Sequence, residues 1–331
     1  MNFKIMLMKK LSVFLLSLLV ITIFHSSCGD CDCPAPSVPV VSQYDLNKMI
    51  VETNTTNAST AFESVFTKNI LDSSSRAELC QVFVDSALFF NDKSGYFFIE
   101  TLNNAWVVAH INHDIIGTSR YDVVDENGKY FIQDMIQAVK YSGYAYVDYY
   151  RKNPATEIIE RKLSFVTSIP SANWFIGTGF YGEPQEVYYT YYETSQWVLQ
   201  ESVTSMSGGL ANIFKHIYTE ENERIEFCRD FLDHIKYFDD ASGYFFVNDM
   251  EGINIAHGAD STHQGQNDYD LQDTKGTYII RDMIDIVNTS GSGFYEYYWI
   301  NPSTGLEETK VSYVSKIQGT DYFIGSGFYF N

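Results

Sequence analysis

Residues 129–181 read KYFIQDMIQAVKYSGYAYVDYYRKNPATEIIERKLSFVTSIPSANWFIGTGFY, and residues 277–329 read TYIIRDMIDIVNTSGSGFYEYYWINPSTGLEETKVSYVSKIQGTDYFIGSGFY. The two segments align without a gap at an offset of 148 residues and are identical at 24 of 53 positions. Repetition at a fixed offset is the signature of a structural unit that is present more than once. We therefore expect two copies of one domain, and a chain of 331 residues is long enough to hold both.

The repeat extends upstream of both segments. Ser94–Phe98 matches Ser242–Phe246 at the same offset, which slips by one residue at His110 and His257. In each copy, helical apolar spacing and aromatic, β-branched runs predict two helices, two strands, a long loop with a short helix, and three strands. This order predicts an α+β fold with a five-stranded antiparallel sheet in each domain. The predicted helices are 43–69, 75–90 and 129–141 in the first copy and 190–219 and 222–238 in the second; the predicted strands of the first copy are 95–101, 105–110, 144–151, 161–168 and 173–181; the domains span 43–183 and 188–331.

The first residues have the pattern of a targeting segment. Lys9 and Lys10 precede an apolar run from Leu11 to Phe24, which is shorter than the roughly 20 residues of a membrane-spanning helix. A basic start followed by a short apolar run is typical of a secretory signal peptide, which we place at 1–27. No second apolar run of spanning length follows, so we expect a mature protein without a transmembrane helix or an output domain of its own.

Cysteines cluster after this run. The sequence His25-Ser26-Ser27-Cys28 resembles the lipobox of bacterial lipoproteins, although that family prefers leucine where His25 stands. The resemblance implies that Cys28 is acylated and holds the protein on the envelope, periplasmic or at the surface; an ordinary cleaved signal is the alternative. Residues 28–42 then form a tether, in which Cys31 and Cys33 suit a local disulfide better than a metal site.

The charge of the chain limits its partners. Lysine and arginine number 22 against 42 aspartates and glutamates, which gives a net charge of −20. Nucleic acids and anionic membrane surfaces both require a basic face. We therefore expect no nucleic-acid partner, and membrane contact only through a lipid anchor. Cys80 and Cys228 occupy equivalent positions in apolar helical patterns, which predicts two buried, unpaired thiols.

Each copy resembles a Cache domain of the single-Cache, type 2 kind, a PAS-like extracytoplasmic sensor family. The resemblance implies a fold that senses small molecules, often short organic acids. Arg151 and Arg120 depart from the family pattern and from the second copy, which has Trp299 and Asp268 there. The motifs that carry the resemblance are Ala256-His257, Gly265 to Asp270, Tyr297-Tyr298-Trp299, Pro302 and Lys310 to Val314 in the second copy, and Ala109-His110, Gly117 to Asp122, Lys162 to Val166 and Trp174 in the first.

The candidate site residues follow from strand alternation and from this resemblance. Lys162, Ser164 and Val166 alternate along one strand and so share a face, which is either the pocket or the outer surface. In the pocket, the ammonium of Lys162, or of Lys310 in the second copy, could hold a ligand carboxylate. Tyr149, Tyr297 and Trp299 suit an aromatic box around the ligand, or they pack in the core. Arg151, which shares a face with Tyr149, could bind a carboxylate in two-pronged fashion or be a rim residue that closes off the first pocket. His110 and His257 could donate to a ligand or satisfy buried backbone groups, and Tyr121, Tyr269 and Asp270 are expected over the pocket mouth.

Catalysis has no motif to support it. The sequence holds no nucleophile elbow, zinc-protease motif or repeated Cys–His pair, and the Gly-x-Gly of the last strand favours close packing over phosphate binding. We expect no enzyme, cofactor or metal. The favoured hypothesis is a binding protein for a small carboxylate that presents its ligand to a membrane receptor or transporter. The alternative is an envelope subunit that uses the domains as a scaffold with empty pockets and forms a homodimer through its N-terminal helices.

Overall fold

The structure is a computed structural model, and it describes residues 39–330. The predicted signal peptide 1–27, the acylated Cys28 and the disulfide of Cys31 with Cys33 lie outside the described residues. No helix within the described part is both long and apolar enough to cross a membrane.

Two modules follow each other along the chain, each with two helices, two strands, a third helix and three strands. This order confirms the predicted α+β fold. The first module contains α1 (Gln43–Lys68), α2 (Ser73–Val84), β2 (Phe98–Thr101), β3 (Val107–His110), α3 (Phe131–Ser142), β4 (Tyr144–Lys152), β5 (Ile159–Ile169) and β6 (Trp174–Tyr181). The second contains α4 (Tyr191–His216), α5 (Glu221–Leu232), β8 (Phe245–Asp249), β9 (Asn254–His257), α6 (Ile279–Ser290), β10 (Ser292–Ile300), β11 (Glu307–Lys316) and β12 (Tyr322–Phe330).

Both sheets are antiparallel and have the same strand order. In the first module the order is β3-β2-β6-β5-β4, and in the second it is β9-β8-β12-β11-β10. The Gly-x-Gly motif lies on the strand at the centre of each sheet, and a Cβ at Gly325 would lie 2.4 Å from the Phe246 ring. Close packing therefore explains these glycines, as the sequence predicted.

Helices cover the two faces of each sheet differently. The long helices α1 and α4 pack on one face of their own sheets, and they also pack against each other. Apolar side chains of both modules thus form one shared core, in which Phe62 of α1 contacts Phe231 of α5 edge-on. The short helices α3 and α6 cover the opposite faces, and each closes a smaller separate core.

Local side chains begin and end these helices. The hydroxyl of Thr190 accepts a hydrogen bond from the Glu193 N–H while the Glu193 carboxylate accepts one from Thr190, a capping box at the start of α4. Helices α3 and α6 end at Gly143 and Gly291, which adopt the left-handed backbone conformation that glycine allows without strain.

Three local features differ from the prediction. Helix α5 was predicted to reach residue 238 but ends at Leu232, because Tyr237 pairs with Gly243 in an antiparallel bridge and Phe238 has a positive φ of 62°. Helix α2 was predicted to reach residue 90 but ends at Val84, because Phe89 pairs with Gly95 in an antiparallel bridge and Phe90 has a positive φ of 63°. Two short strands, β1 (Val40–Ser42) and β7 (Tyr188–Thr190), pair in a separate small sheet that the sequence did not indicate.

The two cysteines among the described residues confirm the prediction of buried, unpaired thiols. Cys80 and Cys228 are buried, and each is unpaired within the described residues. Burial raises the pKa of both thiols, and that of Cys228 rises to about 12.

Candidate ligand-binding site

A pocket lies in the second module between the sheet, the loop after β9 and helix α6. The cavity offers about 20 Å³ to the centres of water-sized molecules. The pocket therefore suits a molecule of a few heavy atoms. Its lining residues are Tyr244, Phe246, Asn248, Asn254, His257, His263, Asp268, Leu271, Ile279, Ile280, Met283, Tyr297 and Trp299.

Lys310 lies behind Tyr244 and Phe246, two of the residues that line this pocket. It sits on β11 directly across from Tyr297 on β10, and its side chain is fully buried. Its Nζ lies 3.9 Å from the centroid of the Tyr244 ring and 5.1 Å from that of Tyr329. The space for the lysine stem exists because Gly327 is its neighbour on β12, where a Cβ would lie 2.5 Å from Lys310 Cε.

The ammonium group of Lys310 is short of partners. No side chain or backbone group in the described part of the chain accepts a hydrogen bond from its Nζ. Burial therefore lowers the pKa of Lys310 well below its ordinary value, and the rings around it supply cation–π attraction but no acceptor. A buried amine in this state gains from any acceptor that reaches it.

Other polar atoms beside the lysine are also unpaired. Tyr244 Oη and Asn248 Nδ2 are buried and have no hydrogen-bond partner among residues 39–330. The Asn248 side-chain oxygen is already used, since it accepts a hydrogen bond of 3.3 Å from Asn254. By contrast, Tyr297 Oη is satisfied by Ser312 Oγ at 3.1 Å. Asn254 Oδ1, an acceptor in the same pocket, is also unpaired. Among the unpaired groups, Lys310, Tyr244 and Asn248 can donate and Asn254 Oδ1 can only accept, so donors outnumber this acceptor and the pocket favours a ligand that carries acceptors.

His257 adds a further donor. Its Nδ1 accepts a hydrogen bond of 2.9 Å from the Asp260 N–H, which leaves the proton of the neutral ring on Nε2. Burial, followed by the charge of Lys310, lowers the pKa of His257 to about 3. The ring is therefore neutral across the physiological pH range, and it packs 5.0 Å from the Tyr244 ring.

The outer wall of the pocket consists of His263, Asp268 and Trp299. His263 lies 5.0 Å from His257 and 5.5 Å from Trp299, measured between ring centroids. Its Nδ1 lies 3.3 Å from Asp268 Oδ2, and partial burial raises the pKa of that carboxyl. This wall thus combines aromatic surface with one internally paired carboxylate.

The first module repeats the lysine cage. Lys162 is fully buried, with its Nζ 3.8 Å from the Tyr96 ring centroid and 4.8 Å from that of Tyr181. Its Nζ too finds no hydrogen-bond partner within the described chain. His110 Nδ1 accepts from the Asn112 N–H at 2.8 Å, and burial lowers the pKa of this histidine to about 3.

The rest of the first module's interior is different. Arg120 Nη1 donates to Glu100 Oε1 at 2.6 Å, and both side chains are buried. Phe131 of α3 stacks on Tyr149 with the rings 4.2 Å apart and nearly parallel. Arg151 is half-buried at the end of β4. An ion pair and a stacked ring thus stand where the second module has its pocket.

Comparison with known families decides the class of both modules. Residues 82–196 match the family described as Single Cache domain 2, and residues 185–331 match the family described as Cache domain. The chain carries two Cache domains in tandem. Cache domains are extracytoplasmic sensor modules that bind small ligands in chemoreceptors and histidine kinases.

Individual relatives share only part of the chain. The sensor histidine kinase MctS of Rhizobium johnstonii is 38% identical over 87 residues, which are 26% of this chain and 19% of the kinase. A methyl-accepting chemotaxis protein from Vibrio parahaemolyticus is 26% identical over 39% of this chain and 87% of its own, with a TM-score of 0.34. A Cache chemosensory domain solved for its carboxylic acid recognition is 22% identical over 42% of this chain and 92% of its own, also with a TM-score of 0.34.

Most of the residues predicted for the site lie on the predicted face of the sheet. In the second Cache domain, His257, Tyr297 and Trp299 line the pocket, and Lys310 lies behind Tyr244. In the first, Lys162, Tyr149 and His110 hold the equivalent buried positions, and Arg151 lies at the edge of that group. The structure therefore places both lysines on the inner face, a choice that strand alternation had left open.

The residues predicted over the pocket mouth are not among its lining. Tyr269 is 38% exposed, Tyr121 is 41% exposed, and Asp270 pairs with Arg281 on the surface. The reason is that the loop turns outward after Asp268, where the Asn267 side chain accepts a hydrogen bond from the Tyr269 N–H. Asp268 lines the pocket in their place.

The sequence analysis also missed other lining residues, among them the polar residues His263, Asn248 and Asn254. Asn248 could have been found, because it follows Phe246 by two residues on a strand and so shares its face. His263 is the last residue of a short 3-10 helix, Ser261–His263, and nothing in its spacing indicated the pocket. No group of three His, Cys, Asp or Glu side chains in 39–330 is placed to hold a metal ion.

Proposed function

We propose that the second Cache domain binds a short monocarboxylate. The observation that carries this proposal is the fully buried Nζ of Lys310, which has no hydrogen-bond partner among the described residues and lies against the wall of a small pocket. A carboxylate would supply the missing acceptor and turn an uncompensated amine into a charge-assisted hydrogen bond.

The surroundings of Lys310 support an anionic group on the ligand. Tyr244 Oη and Asn248 Nδ2 are donors without partners inside the described part of the protein, and the neutral His257 has a proton on Nε2. One carboxylate can accept about four hydrogen bonds, so it could take those of Lys310, Tyr244 and His257, whose side chains meet at the Tyr244 ring. The opposite wall is apolar, with Ile280 and Met283 of α6 facing the space left for the rest of the ligand.

The size of the pocket restricts the ligand to a few heavy atoms. Acetate, propionate, lactate and pyruvate are within that range. The proposed role is to bind such an acid outside the cytoplasm and to present the bound state to a membrane receptor or transporter. The signal peptide at 1–27 and the lipid anchor at Cys28 belong to the same proposal.

A thermal-shift screen tests the proposal. The purified protein is melted with acetate, propionate, lactate and pyruvate, and with propionamide and propylamine as neutral and cationic controls. A ligand at a hundred times its dissociation constant should add about 2.7 kcal/mol to the unfolding free energy. At least one acid should raise the melting temperature of the wild type and of Lys162→Met but not of Lys310→Met. A shift by propylamine alone, or no shift by any acid, would contradict the proposal.

A further inference from the structure

The two Cache domains differ at positions that line the pocket of the second domain. Glu100 follows Phe98 by two residues on β2, as Asn248 follows Phe246 on β8. Arg120 lies three residues after Gly117, as Asp268 lies three residues after Gly265. Glu100 is therefore the structural equivalent of Asn248, and Arg120 is that of Asp268. Asn248 and Asp268 both line the pocket of the second domain.

In the first domain these positions hold a buried ion pair. The Glu100 side chain is completely buried and the Arg120 side chain is 8% exposed, with 2.6 Å between Nη1 and Oε1. The guanidinium also lies 5.4 Å from the centroid of the Phe131 ring. Two charges held this way in the interior depend on each other, since loss of either leaves the other without compensation.

The carboxylate of Glu100 has the chemistry of the ligand proposed for the second domain. It lies close enough to Arg120 and Arg151 for both charges to lower its pKa, although burial, the largest influence, raises that pKa to about 7. Burial lowers the pKa of the neighbouring His110, and the charges of Arg120, Lys162 and Arg151 lower it further. Glu100 is thus an internal carboxylate among the basic side chains of the first domain.

The two domains also differ in the volume of the side chains at the equivalent positions. Phe131 stands where the second domain has Ile279, and its ring fills the space over Tyr149 at 4.2 Å. Glutamate, arginine and phenylalanine together occupy more volume than the asparagine, aspartate and isoleucine at the equivalent positions. The residue that is larger in the second domain, Trp299, forms the outer wall and leaves the space beneath it open.

From this comparison we infer that Glu100 and Arg120, with Phe131, fill the pocket of the first Cache domain and close it to ligands. The protein accordingly binds one short carboxylate per chain, in the second domain only. This inference rests on the proposed function for the identity of the ligand but not for the closed state of the first domain. It makes Glu100 and Arg120 the residues that determine which domain is a sensor.

Reciprocal exchange of the differing residues tests the inference. An opened variant gives the first domain the residues of the second, in a Lys310→Met background so that any binding comes from the first domain. A closed variant makes the opposite exchange in the second domain. The opened variant carries Glu100→Asn, Arg120→Asp, Phe131→Ile and Arg151→Trp, and the closed variant carries Asn248→Glu, Asp268→Arg, Ile279→Phe and Trp299→Arg.

Two measurements distinguish a failure of this inference from a failure of the proposed function. Calorimetric titration with propionate should give one site in the wild type, one in the opened variant and none in the closed variant. Crystals pressurised with xenon, which enters cavities whatever ligand they prefer, should show xenon in the second domain of the wild type and in the first domain only after opening. If propionate fails to bind the wild type but the xenon pattern holds, the proposed ligand is wrong and the closed first domain stands.

Other results would overturn the inference. These are two propionate sites or xenon in the first domain of the wild type, or an opened variant that melts cooperatively yet takes up neither probe. If the fourfold variant does not fold, the double variant Glu100→Asn with Arg120→Asp replaces it, because it removes both charges together. The double variant should still admit xenon to the first domain, and its failure to do so while folded would count equally against the inference.

Discussion

The Nζ of Lys310 lies 3.9 Å from the centroid of the Tyr244 ring, and no hydrogen-bond acceptor from the described residues reaches it. The same relationship recurs between Lys162 and Tyr96 at 3.8 Å in the first domain. A buried amine without an acceptor destabilises the protein that carries it. We propose that the lysine serves ligand binding in the second domain, where a pocket lies beside it.

Replacement of Lys310 by methionine should separate stability from binding. Methionine matches the length of the lysine stem and packs well against aromatic rings, and it removes the desolvated amine. We expect Lys310→Met to raise the unfolding free energy by about 1–3 kcal/mol while abolishing acid binding. Urea unfolding of the wild type and the variant measures the first effect. A variant that is less stable than the wild type would show that the amine has a stabilising partner.

Binding should be accompanied by proton uptake. Burial lowers the pKa of Lys310 in the free protein, whereas a bound carboxylate would raise it again because it favours the charged amine. The complex therefore holds more protons than the free protein and ligand together. Calorimetric titrations in phosphate and in Tris at one pH should differ in enthalpy by the amount expected for uptake of up to one proton. Release of protons, or no linkage at all, would count against Lys310 as the anchor.

Gly327 and Gly179 offer a matched pair of substitutions. A Cβ at Gly327 would lie 2.5 Å from Lys310 Cε and from Ser312 Oγ, and a Cβ at Gly179 would lie 2.9 Å from Lys162 Cε. We expect Gly327→Ala and Gly179→Ala each to lower the unfolding free energy by about 1–3 kcal/mol. Only Gly327→Ala should weaken acid binding as well. Equal losses of affinity in both variants would indicate a general effect on the fold.

The buried histidines should make stability depend on pH. The pKa of His257 is lowered to about 3 in the folded protein, against about 6.5 in the unfolded chain. The unfolded state therefore binds more protons below pH 6.5, so this contribution to stability is complete above pH 6.5 and is lost as pH falls towards 3. The loss should be about 1.4 kcal/mol per pH unit.

Comparison with His257→Gln isolates this contribution from the many carboxylates. The stability difference between the wild type and the variant should shrink with that slope from pH 6.5 downwards. His110→Gln is the control in the first domain, where the pKa is lowered to the same value. A difference that does not change with pH would show that His257 titrates alike in the folded and unfolded states.

Much of this architecture follows from the repeat and from strand alternation. The alignment of 129–181 with 277–329 placed equivalent strands and the short helix in both domains. Lysine, serine and valine at alternate positions put Lys162 and Ser164 on one face, and the structure shows that this face is the buried one. Alternation alone could not choose between inside and outside, because a lysine is ordinarily a surface residue.

Other features depend on contacts between distant segments. The pairing of α1 with α4, where Ser205 Oγ donates to Asn54 Oδ1 at 2.6 Å, has no local signal in the sequence. The short strands β1 and β7 are only three residues long, too short for periodicity to indicate. The ion pair of Arg120 with Glu100 joins a loop to a strand 20 residues away, so the departure at Arg120 was visible but its partner was not.

The central claim is that a short carboxylate binds at Lys310 in the second Cache domain. Calorimetric titration of the purified protein with propionate, beside its Lys310→Met and Lys162→Met variants, tests it most directly. We expect saturable binding at one site per chain in the wild type, no measurable binding in Lys310→Met, and the wild-type affinity in Lys162→Met. Undiminished binding in Lys310→Met, or loss of binding in Lys162→Met alone, would contradict the claim.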